Sequence, residues 1–246
     1  MNYRDFLQKI IYHLIDPLIR LMLRLHITPN VVTLIGFLGN LAATWLFIRA
    51  AQTLTLTTCP SPRGEVEGEA LILWGGIVIL AAGLFDMMDG RLARMGNLST
   101  AFGALWDSTL DRYSELVSLF GICLVFIRAG WFWLSVVTFA AMVGSVMVSY
   151  VRARAEGLGI ECKVGLMQRP ERVVVTALAA IVSGATGNLW WLAAGMIAIA
   201  LLANITAFWR IVHCYNKLNS HDSHDSLTPN SLTPGPSPRG EGSIYQ

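Results

Sequence analysis

Six stretches of the chain are dominated by apolar side chains, at about 30–50, 70–88, 103–127, 131–151, 171–187 and 189–213. Crossing the hydrocarbon core of a bilayer as a helix takes roughly 20 such residues. The pattern therefore predicts an all-α integral membrane protein with six transmembrane helices. The third stretch also carries Asp107, Asp111, Arg112 and Glu115, so hydropathy alone would undervalue it. Ahead of the first span, "MNYRDFLQKIIYHLIDPLIRLMLRLH" interleaves Arg4, Lys9, Arg20 and Arg24 with Phe6, Ile10, Ile11, Leu14, Leu18 and Leu21. That alternation predicts an amphipathic interfacial helix over 1–26, and it lacks the layout of a cleavable signal peptide.

Two polar segments interrupt the pattern. An outer loop is expected over 51–69, rich in Thr, Pro, Gly and Glu, and a disordered tail over 218–246, with Pro, Ser, Gly and the doublet "HDSHDS". His221 and His224 belong to that solvated tail. The hexapeptide "PSPRGE" occurs in both segments, at Pro60 to Glu65 and Pro236 to Glu241, within similar flanks. Two distant copies do not make a solenoid. Neither adds a span or a metal ligand, so the repeat is expected to be an inserted, tolerated element. One membrane domain over 27–217 remains.

Composition agrees: 54% of residues are hydrophobic, 14% are charged and the mean hydropathy is +0.54. An ordinary soluble domain carries about a quarter charged residues, and no nucleic-acid partner is expected. The net charge of +2 matters less than its placement. With the N-terminus inside, Arg91, Arg94, Arg152, Arg154, Lys163, Arg169, Arg172, Arg210 and Lys217 fall on or near the cytoplasmic side, against Arg49, Arg63 and Arg128 outside. The positive-inside rule then orients the chain in a cell membrane. Cys59, Cys123, Cys162 and Cys214 have no metal-ligand spacing and imply neither a zinc site nor a disulfide framework.

The chemistry is concentrated in "FDMMDGRLARMGNLSTAFGALWDSTLDRYSE", Phe85 to Glu115. Asp86 and Asp89 are spaced i, i+3 near the end of the second span; Asp107 and Asp111 are spaced i, i+4 near the start of the third. Each pair shares one helix face, and the short turn lets the faces meet at one membrane boundary. Four unpaired carboxylates there would be strongly destabilising. Divalent cations relieve this, and oxygen donors suit hard ions such as Mg²⁺ or Mn²⁺, which bind carboxylates together with substrate phosphates. Gly90 and Gly103 leave room for close approach, and Arg94 offers a fixed positive charge to phosphate oxygens. Chemistry at a phosphorus atom follows, with a carboxylate free to take a proton from an attacking hydroxyl.

The string Asp86-x-x-Asp89-Gly90-x-x-Ala93-Arg94, eight residues, Gly103-x-x-x-Asp107-x-x-x-Asp111 resembles the signature of the CDP-alcohol phosphatidyltransferases. The resemblance covers roughly residues 27–217 and begins at Thr28 to Asn30. It implies a six-helix membrane fold, usually dimeric, with a polar cavity facing the cytoplasm. It further implies two metal ions on Asp86, Asp89, Asp107 and Asp111, with Asp111 also the catalytic base. Gly90, Ala93, Arg94, Thr100 and Gly103 would line the site for CDP-diacylglycerol.

"SYVRARAEGLGI" and "QRPERVVV" put Arg152, Arg154, Arg169 and Arg172 at cytoplasmic helix ends, and arginine grips phosphate bidentately. These strings resemble the phosphatidylinositol phosphate synthase branch, which implies inositol 1-phosphate as acceptor and Arg152, Arg172 and Arg210 around its phosphate. Arg152 stands where many relatives carry lysine. Glycerol 3-phosphate, or another alcohol, is the alternative acceptor, because it would meet the same arginines. A divalent-metal transporter is the competing class, but it would place carboxylates near the bilayer centre on several helices. A non-catalytic scaffold would not need the complete aspartate set.

Overall fold

The computed structural model describes residues 15–54 and 62–225, and among them every regular element is a helix. These are α1 (15–24), α2 (Pro29–Thr53), α3 (Pro62–Met95), α4 (Ala101–Arg128), α5 (Phe132–Gly157), α6 (Arg169–Thr186) and α7 (Trp190–Asp225). Local signals set the ends. Pro29 opens α2 where a missing N–H costs nothing. Thr100 caps α4, its hydroxyl accepting from the Gly103 N–H at 2.9 Å. At α6, Gln168 and Glu171 form a capping box, and Gly187 stops the helix in the left-handed conformation at φ 67°.

Among the described residues, four helices are long and apolar enough to cross a membrane: Pro29–Thr53, Val66–Met95, Phe132–Gly157 and Trp190–Asn219. The other two expected spans, α4 and α6, are helical. However, α4 carries the charges noted above, and α6 has only 18 residues and begins "RPER". Two boundaries differ from expectation. The loop expected over 51–69 is shorter, because α2 reaches Thr53 and α3 starts at Pro62, inside the first PSPRGE copy. Proline is favoured in a first helical turn. The tail expected from 218 is helical as far as Asp225, since no Gly or Pro intervenes before Pro229. The second PSPRGE copy lies outside the described residues.

The six long helices close a ring in the order α2, α3, α6, α7, α5, α4 and back to α2. Consecutive helices run in alternating directions, so α3, α5 and α7 end where α2, α4 and α6 begin. Phe47, Ile72, Ile122, Phe126, Leu192 and Met196 fill the core. Alanines 43, 50, 141, 177, 180, 193 and 203 let the backbones approach. Trp45, Trp74, Phe139 and Phe208 project outward, more than half exposed. Small residues between closely packed backbones, with further large apolar groups facing outward, are an arrangement a lipid solvent favours. Polar contacts lock neighbours: Ser118 Oγ lies 3.2 Å from Asn40 Oδ1 across α2 and α4, and Asn204 Nδ2 donates to the Ala140 carbonyl across α5 and α7 at 3.1 Å.

The far end of the ring is tied by aromatic packing of Trp131 on Trp190, centroids 4.8 Å apart, and by Arg128 Nε donating to the Ala51 carbonyl at 3.3 Å. At the near end α1 lies against α2 and α3. Its Ile15, Ile19 and Met22 pack on Val32, Met88 and Leu92, and Asp16 pairs with Arg91 at 3.2 Å. Leu18, Leu21 and Leu25 are left exposed on α1 and the turn after it. Arg4, Phe6, Lys9, Ile10, Ile11 and Leu14 of the expected interfacial helix lie outside the described residues.

Candidate active site

The near end of the ring gathers the four aspartates. Asp86 and Asp89 come from the last turns of α3, and Asp107 and Asp111 from the first turns of α4, joined by a five-residue turn in which Asn97 takes φ 51°. Each carboxylate interacts electrostatically with at least one of the others. Helix α2 backs the cluster so closely that a Cβ on Gly36 would sit 3.0 Å from Asp86 Oδ1. Asp89 is buried, and its Oδ2 has no hydrogen-bond partner.

An arginine stands among them. Arg169, the first residue of α6, places Nη2 2.8 Å from Asp86 Oδ2 and 2.6 Å from Asp111 Oδ1. Its Nε is buried without a hydrogen-bond partner. As arranged, no three Asp, Glu, His or Cys side chains among the described residues converge closely enough to hold a metal ion. The donor set nevertheless fits a hard divalent cation: all the donors are carboxylate oxygens, their formal charge exceeds that of Arg169, and Asp89 offers an orphaned oxygen.

Two clefts meet at this cluster. The first, of about 190 Å³, is lined by Asp89 and Asp107 and by all five residues expected at the CDP site: Gly90, Ala93, Arg94, Thr100 and Gly103. Gly103 is where α4 crosses the start of α2, for a Cβ there would lie 3.2 Å from Asn30 Oδ1. The second, of about 420 Å³, is lined by Asp107, Asp111 and four arginines from α5 to α7: Arg152, Arg169, Arg172 and Arg210. Asp107 is a wall of both. Asp86 lines a third, small pocket together with Asn40, Glu115, Arg169 and Arg172.

The three arginines expected at the acceptor phosphate share the second cleft but differ in commitment. Arg152 is half-exposed and pairs with Glu156 at 2.9 Å. Arg172 is 1% exposed; it forks onto both oxygens of Glu115, with Nη2 to Oε2 at 2.9 Å, and its Nη1 donates to the Met167 carbonyl. Arg210 donates from Nε to the Val164 carbonyl at 2.8 Å and from Nη1 to the Val148 carbonyl at 2.6 Å. Arg172 and Arg210 therefore also hold the segment between α5 and α6 in place. Sequence reasoning missed Glu115, although its spacing of i+4 from Asp111 was a signal. It also missed the bridging position of Arg169 and the role of Gly36, for which no local signal exists.

Comparison with known proteins gives a consistent result. A family model described as CDP-alcohol phosphatidyltransferase matches residues 26–209. The chain is 38% identical over 168 residues to the archaetidylinositol phosphate synthase of Methanothermobacter thermautotrophicus, covering 68% of this chain and 82% of the relative. It is 33% identical over 198 residues to the phosphatidylinositol phosphate synthase of Mycobacteroides abscessus, covering 80% and 81%. The crystal structure of Mycobacterium tuberculosis phosphatidylinositol phosphate synthase with CDP-DAG bound superposes with a TM-score of 0.68 at 30% identity, covering 81% of this chain and 92% of that one. The same enzyme in complex with manganese and citrate gives 0.66 at 29%, covering 81% and 88%.

Proposed function

This chain belongs to the CDP-alcohol phosphatidyltransferase family, and we propose that it transfers the phosphatidyl group of CDP-diacylglycerol to the hydroxyl of inositol 1-phosphate. CMP is released and phosphatidylinositol phosphate is formed. The carrying observation is the junction of two clefts at Asp107, one lined by the nucleotide-signature residues and the other by arginines. Relatives named for inositol phosphate lipids support the acceptor.

In this reading Gly90, Ala93, Arg94, Thr100 and Gly103 hold the cytidine diphosphate, and Arg152, Arg172 and Arg210 face the acceptor phosphate. Asp111 lines the acceptor cleft and takes the proton from the attacking hydroxyl. The acceptor oxygen bonds to the lipid-bearing phosphorus, and the bond from that phosphorus to the bridging oxygen breaks, its electron pair leaving with CMP. Asp86, Asp89, Asp107 and Asp111 would hold two divalent ions, Mg²⁺ or Mn²⁺; bound there, the ions neutralise the diphosphate and polarise its oxygens. The unpartnered Oδ2 of Asp89 supports that assignment. The protein is a six-span homodimer of the cell membrane, with α1 in the interface and the aspartates facing the cytoplasm. The arginine-rich near end supports this orientation.

The test incubates purified protein with Mg²⁺, CDP-diacylglycerol and, separately, inositol 1-phosphate, inositol and glycerol 3-phosphate, and measures CMP. Release with inositol 1-phosphate is expected. Release with glycerol 3-phosphate alone would reassign the acceptor, and no release with any acceptor would refute the transferase reading.

A further inference from the structure

Arg169 sits where the chemistry wants a metal. Its single Nη2 contacts carboxylates from two helices, Asp86 on α3 and Asp111 on α4, while its Nε is buried and unpartnered. A guanidinium so placed is half satisfied. It offsets part of the cluster's charge but leaves a hydrogen-bond donor unspent, and it uses the lone pairs that an ion would take. Arg169 also lines the arginine cleft, and its side chain is 24% exposed, so an alternative position towards that cleft is open to it.

We propose that Arg169 is a resident counter-ion that divalent metal displaces. In the metal-free protein it bridges Asp86 and Asp111; when metal arrives it leaves both carboxylates and joins Arg152 in facing the acceptor phosphate. The inference rests on the reading of the aspartates as metal ligands. It adds that metal binding is a competition with a side chain of the protein itself, and that one arginine serves two states in turn. An arginine that merely braced the ligands would act in the opposite direction, since its removal would loosen them.

The experiment titrates the full chain, in detergent or nanodiscs without substrates, with Mn²⁺ alone, reading free Mn²⁺ by electron paramagnetic resonance. For Arg169→Gln, binding about tenfold tighter than wild type is expected, each factor of ten being ~1.4 kcal/mol. Arg169→Lys keeps the charge but loses the planar fork, so it should fall between, at about threefold tighter. Thermal melts provide a second readout. Metal-free Arg169→Gln should melt below wild type, and saturating Mn²⁺ should close the gap by mass action. Unchanged or weaker Mn²⁺ binding in Arg169→Gln would overturn the proposal. Tightening in Arg169→Gln with none in Arg169→Lys would overturn the bridging role and leave only the charge. Wild type that binds no Mn²⁺ would overturn the metal reading itself, which separates the two failures. Should Arg169→Gln not fold, the lysine variant carries the test.

Discussion

Arg172 and Glu115 form the most enclosed ion pair near the site, 1% and 9% exposed by side chain. Removing one partner of a buried pair strands the other, at about 3–5 kcal/mol. Arg172→Ala should therefore lower the melting temperature sharply as well as raise the acceptor KM. Adding Glu115→Ala should restore much of the stability without restoring the KM. Chemical or thermal unfolding of the two singles and the double measures that non-additivity, and additive losses would show that the pair is not coupled. Asp111→Asn separates chemistry from folding differently. An amide keeps the shape but takes no proton, so turnover should fall by about 10²–10⁴ while the protein still elutes as wild type. Undiminished CMP release would remove Asp111 as the base.

Helices α2 and α3 meet along a seam where two glycines make different contacts. A methyl group on Gly36 would press on Asp86 Oδ1 at 3.0 Å; one on Gly39 would press on the Ala82 side chain at 3.2 Å. Both Ala variants tighten the seam, where the neighbouring side chain must shift to admit the methyl group. Only Gly36→Ala should also weaken Mn²⁺ binding, a contrast that a Mn²⁺ titration of the pair reads directly. The aspartate faces were legible in the sequence because i, i+3 and i, i+4 spacing is local, and one short turn brings the faces together. Gly36 was not, because its neighbour is 50 residues away and only helix packing brings Asp86 to it. Helix ends were misjudged for a related reason. Apolar runs mark the thickness of a bilayer rather than the extent of a helix, so α3 starts earlier and α7 ends later than hydropathy alone suggests.

At the scale of the molecule, the ring order α2, α3, α6, α7, α5, α4 decides what the sequence could not. It brings the start of α6 to the aspartates of α3 and α4, and so turns Arg169, remote from them in sequence, into their direct partner. The alternation of directions also separates the site from the described part of the first PSPRGE copy. The described part of the first copy begins α3, at the opposite end of that helix from Asp86 and Asp89, and the second copy follows the last helix in sequence. Deleting Pro236 to Glu241 should leave CMP release within experimental error of the intact chain; a large loss would give the repeat a function.

Asp107 as the shared wall of two clefts has a kinetic meaning. If donor and acceptor lie on opposite sides of one side chain, each must be in place for the other to react, and the lipid phosphate never needs to rest on the protein. Initial velocities measured across both concentrations should then give intersecting rather than parallel double-reciprocal lines. A single in-line displacement would leave the phosphorus with inverted configuration.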